Sequence, residues 1–133
     1  MNIGSFGRVV LLLGLVLLAG CRTSPVKNVE SAPVDQIGGR ILSLEDVETA
    51  IFRASITTKP AWQSRKVAPG HIVSTIELRP RMAQVDIYFD PRKYSIRYRN
   101  SDNLKYNGAQ IHNLYNVWVD NLDAAIRKQL SVY

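Results

Sequence analysis

The chain has 133 residues, 17 Lys and Arg against 11 Asp and Glu, a formal net charge of +6 and a single cysteine. One cysteine cannot close an intramolecular disulfide, so whatever folds here does so without a covalent staple. The length leaves room for one small domain with one core and no second.

The N-terminus opens with a short segment carrying Arg8, and residues Val9 to Leu18 form an apolar run followed by Ala19, Gly20 and Cys21. This is the layout of a secretory signal peptide over residues 1–20. An apolar core of roughly 7–15 residues is too short for a permanent transmembrane helix, which needs about 20. The sequence Leu18-Ala19-Gly20-Cys21 resembles the lipobox of bacterial lipoproteins. The resemblance implies a diacylglycerol on the Cys21 sulfur, cleavage before it and three acyl chains in all. Each buried methylene contributes about 0.8 kcal/mol, so several chains make release slow. An Asp after the cysteine usually retains such proteins in the inner membrane. Arg22 stands there instead, which favours the outer membrane. The plainer readings are an ordinary cleaved leader that leaves a free thiol, and an uncleaved anchor.

Residues 21–39 hold Pro25, Pro33, Ser24, Ser31, Gly38 and Gly39 and few large apolar groups. That composition predicts a flexible tether with a mean span of roughly 20–25 Å. The alternative is that Val29, Val34 or Ile37 docks on the domain, which is expected over residues 40–133.

Removing Arg8 with the leader leaves 16 basic against 11 acidic residues, a net +5. Ten of the basic residues lie between Lys59 and Lys105, opposed there only by Glu77, Asp86, Asp90 and Asp102. Such a surface favours anionic envelope partners: lipid head groups, lipopolysaccharide phosphates or peptidoglycan carboxylates. An exported chain rarely meets nucleic acid, so none is expected as a partner.

Ser43 before Glu45-Asp46 predicts a capped helix start. Leu44, Val47, Ala50, Ile51 and Ala54 then recur at helical spacing, and Pro60 ends the run. From Trp62 the period changes to two. Turn signals at 67–70, 79–81 and 90–92 separate about four strands. Ile72, Ser74, Ile76 and Leu78 share one face, with His71, Thr75, Glu77 and Arg79 on the other. Ala83, Val85, Ile87 and Phe89 point inward, Gln84, Asp86 and Tyr88 outward. In the fourth strand Tyr94, Ile96 and Tyr98 oppose Ser95, Arg97 and Arg99. A long helix is expected from Asn107-Gly108, with Ile111, Leu114, Tyr115, Trp118, Leu122, Ala125, Ile126 and Leu130 on its apolar face. The expected fold class is α+β: a two-layer domain in which an antiparallel meander has both helices on one face and a wet face opposite.

Enzyme signals are nearly absent. There is no nucleophile elbow, glycine-rich phosphate loop or HExxH motif, and no Asp/Glu/His cluster at metal-ligand spacing. No catalytic residue, metal or cofactor is therefore assigned. His112 is either a base or ligand contact, or a residue that caps the following helix or bonds a strand; the second is the commoner arrangement. The binding candidates are Arg79, Arg81, Arg97 and Arg99, with Lys93 beside them, as a basic strip that grips an anion bidentately. The competing reading is a cross-strand lattice in which Glu77 and Asp86 pair with those arginines. The aromatic set Trp62, Phe89, Tyr94, Tyr98, Tyr115 and Trp118 forms either a ligand groove or, more commonly, core.

The segments Tyr94-Ser95-Ile96-Arg97-Tyr98, Asn100 to Leu104 and Ile111 to Val119 resemble a family of small, functionally uncharacterised lipoproteins of Gram-negative bacteria, over roughly Ile51 to Leu130. The resemblance implies an envelope location and supplies no activity and no catalytic residues. The function expected is a non-enzymatic binding or adaptor module, lipid-anchored at the periplasmic face of the outer membrane. An envelope protein, peptidoglycan or lipopolysaccharide is the partner class. A small-molecule or lipid carrier is the alternative and requires a cavity lined by Tyr94, Tyr98 and Trp118. A peptidoglycan-active enzyme ranks below both and requires His112 and Asp102 to converge.

Overall fold

The computed structural model describes residues 22–34 and 40–133. The leader, Cys21 and Ile37 lie outside the described residues. The chain is α+β, with strands β1 (Thr23–Pro25) and β2 (Val29–Pro33), helix α1 (Leu44–Thr57), strands β3 (Gln63–Ala68), β4 (His71–Leu78), β5 (Arg81–Phe89), β6 (Lys93–Asp102) and β7 (Gln110–His112), and helix α2 (Asn113–Leu130). Strands β2 to β6 make a five-stranded antiparallel sheet in the order β2-β6-β5-β4-β3, and β1 pairs with β7 in a separate two-stranded ladder.

Helix α1 starts where its sequence says it should. Ser43 Oγ accepts from the Asp46 N–H while the Asp46 carboxylate accepts from the Ser43 N–H, each at 3.0 Å, which satisfies two otherwise orphaned donors. Its buried stripe is Val47, Ala50, Ile51 and Ala54, joined by Ser55, whose hydroxyl donates back to Phe52 O at 2.8 Å. The meander follows its period of two. Ile72, Ser74 and Ile76 on β4 lie opposite Ile87, Val85 and Ala83 on β5, and all six are fully buried or nearly so. The β3–β4 turn needs Gly70, whose φ is +78°; a Cβ there would meet Phe89 O at 2.7 Å.

The N-terminal segment departs from the tether expectation. Thr23, Ser24 and Pro25 are in register with His112, Ile111 and Gln110. Val26 N donates to Ala109 O at 3.1 Å, and Lys27 N donates to Asn116 Oδ1 at 2.9 Å. Ser24 Oγ donates to Asn113 Oδ1, and Lys27 forms an ion pair with Asp120. β2 then lies along β6, with Val29 opposite Ile96 and Ala32 opposite Tyr94, and Val34 N donates to Arg92 O at 2.9 Å. Val29, Ala32 and Val34 all belong to the same buried cluster as the helices and the meander. The docking alternative therefore describes residues 22–34, and the folded domain begins well before residue 40.

Helix α2 also begins later than the Asn107-Gly108 signal suggests. Asn107 Oδ1 accepts from Ala109 N and Gln110 N at 3.0 and 2.7 Å, closing a turn rather than a helix. Ile111 is thus a β7 residue, and His112 is the N-cap, its Nδ1 accepting from Leu114 N at 3.0 Å. Tyr115, Trp118, Val119, Leu122, Ile126 and Leu130 are the buried face of α2. Tyr94 Oη on β6 donates to Asp123 on α2 at 2.5 Å, and Lys66 on β3 lies 3.2 Å from Glu48 on α1.

Candidate functional site: an aromatic and charged cluster on the sheet

The alternation that buries Val85, Ile87 and Ile96 turns Asp86, Tyr88 and Arg97 to the opposite side of the sheet, where Tyr88, Arg97 and Arg99 are exposed. Register brings His71 on β4 opposite Tyr88 on β5. Their rings stack at 4.4 Å with an interplanar angle of 19°. The Arg97 guanidinium sits 5.6 Å from the Tyr88 ring centroid, within cation–π range. Arg97 in turn takes Glu30 of β2 in a two-pronged contact, Nε to Oε1 at 3.1 Å and Nη2 to Oε2 at 3.0 Å. The bond to Arg97 holds the Glu30 carboxyl below its ordinary range, and the Arg97 guanidinium is held above its own by the same contact.

Asp86 organises the other half. His71 Nε2 lies 2.7 Å from Asp86 Oδ1, and Arg99 Nη1 donates to the same oxygen at 2.9 Å. Arg99 reaches it because β6 carries a bulge: Val85 faces Tyr98 and Gln84 faces Asn100, which leaves Arg99 as the extra residue. One further residue on the same face as Asp86, Val73, is fully buried between its cross-strand neighbours Arg65 and Asp86.

The four arginines expected in one strip fall into two groups. Arg97 and Arg99 are in mid-sheet and ion-paired with Glu30 and Asp86. Arg79 and Arg81 flank Pro80 at the β4–β5 turn, with Arg81 opposite Leu78 and so on the other strand face. The two bonds preceding Pro60 and Pro80 are cis. Neither Arg79 nor Arg81 has an ion pair among the described residues, and both line an open cleft of about 550 Å³ with Glu77, Met82 and Asp102. Glu77 pairs with no arginine among the described residues, so the lattice is built by Asp86 and by Glu30, a residue of the segment whose composition reads as tether. Lys93 lies at the start of β6 opposite Pro33 and borders a second open cleft, about 360 Å³, with Gly70, Tyr88 and Arg97.

The aromatic set is core. Trp62, Phe89, Tyr94, Tyr115 and Trp118 are buried, and Tyr98 packs against them while stacking on Tyr106 at 4.1 Å. Burial, with the Asp123 carboxylate added for Tyr94, pushes the Tyr94 and Tyr115 hydroxyls well above the ordinary tyrosine range. Tyr115 Oη and Trp62 Nε1 have no hydrogen-bond partner among the described residues. His112 serves as a helix cap, and burial, then the charges of Arg81, Lys105 and Arg22, lower its pKa. Among the described residues no group of three His, Cys, Asp or Glu is placed to hold a metal ion, and no helix is long and apolar enough to cross a membrane.

His71, Tyr88 and Asp86 are legible in the sequence as outward positions of adjacent strands, and the turn lengths set the register that joins them. Glu30 carries no such signal. No family model, curated protein or solved structure matches this chain.

Proposed function

We propose that this chain is a lipoprotein anchored by acyl chains on Cys21 at the periplasmic face of the outer membrane, acting as a non-enzymatic binding or adaptor module of the envelope. Leu18-Ala19-Gly20-Cys21 followed by Arg22 supports the anchor and its membrane. The reading includes a two-layer arrangement, with α1 and α2 on one sheet face and the other face open. The Tyr94–Asp123 and Lys66–Glu48 contacts support that placement.

The observation that carries the binding role is Tyr88, 42% exposed yet held between the His71 ring and the Arg97 guanidinium. An exposed aromatic fixed by its neighbours loses little freedom when a partner covers it, which is the property of an interface anchor. Because Arg97 and Arg99 already hold carboxylates, the face suits a folded protein surface better than a simple anion. Peptidoglycan, lipopolysaccharide and a bound lipid remain outcomes of the test, and nucleic acid is not a partner.

The test places a photo-crosslinking amino acid at position 88 in the full-length chain in cells, with position 117 on exposed α2 as the control. The expected result is one discrete envelope protein captured at 88, absent at 117 and lost when Arg97→Glu and Arg99→Glu are added. Identical adducts at both positions, or adducts to glycan or lipid alone, overturn the adaptor reading. Cys21→Ser is expected to leave the protein in a form that a salt wash strips from the membrane fraction, whereas the parent chain stays bound.

A further inference from the structure

The first described residue, Arg22, leads directly into the β1–β7 ladder. Thr23 is opposite His112; His112 N donates to Leu104 O at 2.7 Å, beside Lys105. In the same connection Asn103 Nδ2 donates to Pro80 O at 2.7 Å, and Pro80 lies between Arg79 and Arg81. Three segments distant in sequence thus gather Arg22, Arg79, Arg81 and Lys105 at one end of the domain. All four are exposed and free of ion pairs among the described residues. The acids at this end are Glu77 and Asp102, which leaves a surplus of two positive charges. Leu78, opposite Arg81, and Tyr106, next to Lys105, are 50% and 43% exposed there.

We infer that this end of the domain seats directly on the anionic phospholipid surface that receives the Cys21 acyl chains. The inference rests on lipidation at Cys21. Distance makes the seating close: two residues of extended chain reach at most about 7 Å, so acyl chains on Cys21 would bring Thr23 and its end of the domain to the lipid surface. The polar head-group region on each side of a bilayer is itself about 5–7 Å deep. The effect of Arg81, Lys105 and Arg22 on His112 is the electrostatic trace of the same convergence. Each basic residue close to an anionic leaflet raises partitioning about fivefold, so a surplus of two raises it about 25-fold.

The experiment uses the mature chain with Cys21→Ser, so that charge and not acylation is read, in co-sedimentation with vesicles of phosphatidylcholine alone or with about a third phosphatidylglycerol. Binding to the anionic vesicles, reversed by salt, is expected. Arg79→Glu with Arg81→Glu, and separately Arg22→Glu with Lys105→Glu, are each expected to reduce it at least 25-fold. Arg53→Glu with Lys128→Glu makes the same change in net charge on exposed helix positions and is expected to reduce it less than threefold. Equal losses in all three pairs, or no binding by the parent chain, overturn the seating. The mass of the protein purified from membranes separately reads acylation. A missing acyl mass overturns the anchor, whatever the vesicles show.

Discussion

If residues 22–34 are part of the domain, truncating their buried side chains must cost stability, although their composition reads as linker. Val29 and Val34 are 9% and 5% exposed, close to full burial. Valine to alanine removes two methylene equivalents at about 0.8 kcal/mol each, about 1.6 kcal/mol before any cavity contribution. At a sheet edge the neighbours relax into the space, so the cavity contribution is small and about 1.5–2 kcal/mol per site is expected. Val29 lies opposite Ile96, whereas Val34 sits beside Arg92, so the two sites share no direct partner and add. The double variant Val29→Ala/Val34→Ala should therefore lose about 3–4 kcal/mol, a large part of the 5–15 kcal/mol typical of a domain. Urea unfolding of the mature Cys21→Ser chain measures it, with Trp62 and Trp118, 1% and 3% exposed, as fluorescent reporters of the core. Ile41→Ala, at a position 79% exposed, is the control and should stay within about 0.5 kcal/mol. A double variant that shifts by less than about 0.5 kcal/mol at unchanged slope would refute the docking and restore the tether.

Two further outcomes follow from His112 and Tyr115. His112 is held below its ordinary 6.5, so the unfolded chain takes up the proton first: stability is complete above pH 6.5 and falls as pH drops from there through the folded-state value. Comparing urea midpoints at pH 7.5 and 5.5, the parent should lose more than His112→Asn, which keeps a capping side chain without a titrating one; equal losses would refute the assignment. Tyr115→Phe removes a buried hydroxyl that has no partner among the described residues, and should be neutral or stabilising by up to about 1 kcal/mol in the same assay. A loss greater than about 1 kcal/mol would mean that the hydroxyl is satisfied after all.

Local signals make α1 and the meander legible in the sequence. Ser43 and Asp46 close a box within one turn, and alternation, strict in β5 and interrupted in burial at Val73 of β4 and around the β6 bulge, assigns most side chains to a face without knowledge of the partner strand. β1, β2 and β7 are not legible in this way, because what stabilises them is remote. β2 contributes only Val29 and Ala32 to its buried side, and its pairing with β6 joins residues sixty or more positions apart. β7 is three residues long, and its one buried side chain, Ile111, fits the helical spacing of the residues after it. The start of α2 is obscured for a related reason: the cap is a histidine, whereas Asn107, from which the helix is expected, spends its side chain on a turn. The site inherits the same division. His71, Asp86, Tyr88 and Arg97 follow from alternation and register, while Glu30 and the bulge that turns Arg99 to Asp86 do not.

The docked N-terminal segment bears on both proposals, because it converts an anchor into an orientation. A tether of roughly 20–25 Å would leave the domain free to present any face to the membrane. With Thr23 paired to His112 and Val29 to Ile96, the chain that leaves Cys21 is fixed first to the basic end and then to the sheet edge. The basic end includes Asn103, one residue beyond β6, and Arg97 stands six residues back from it along the chain. At about 3.3 Å per residue, seating that end on the lipid surface holds the Tyr88–Arg97 cluster within about 20 Å of the head groups. A partner reached there must itself be at the membrane or close to it. The restriction comes from pairing in residues 22–34, so the variants that weaken β2 should also loosen the height at which the sheet face is presented.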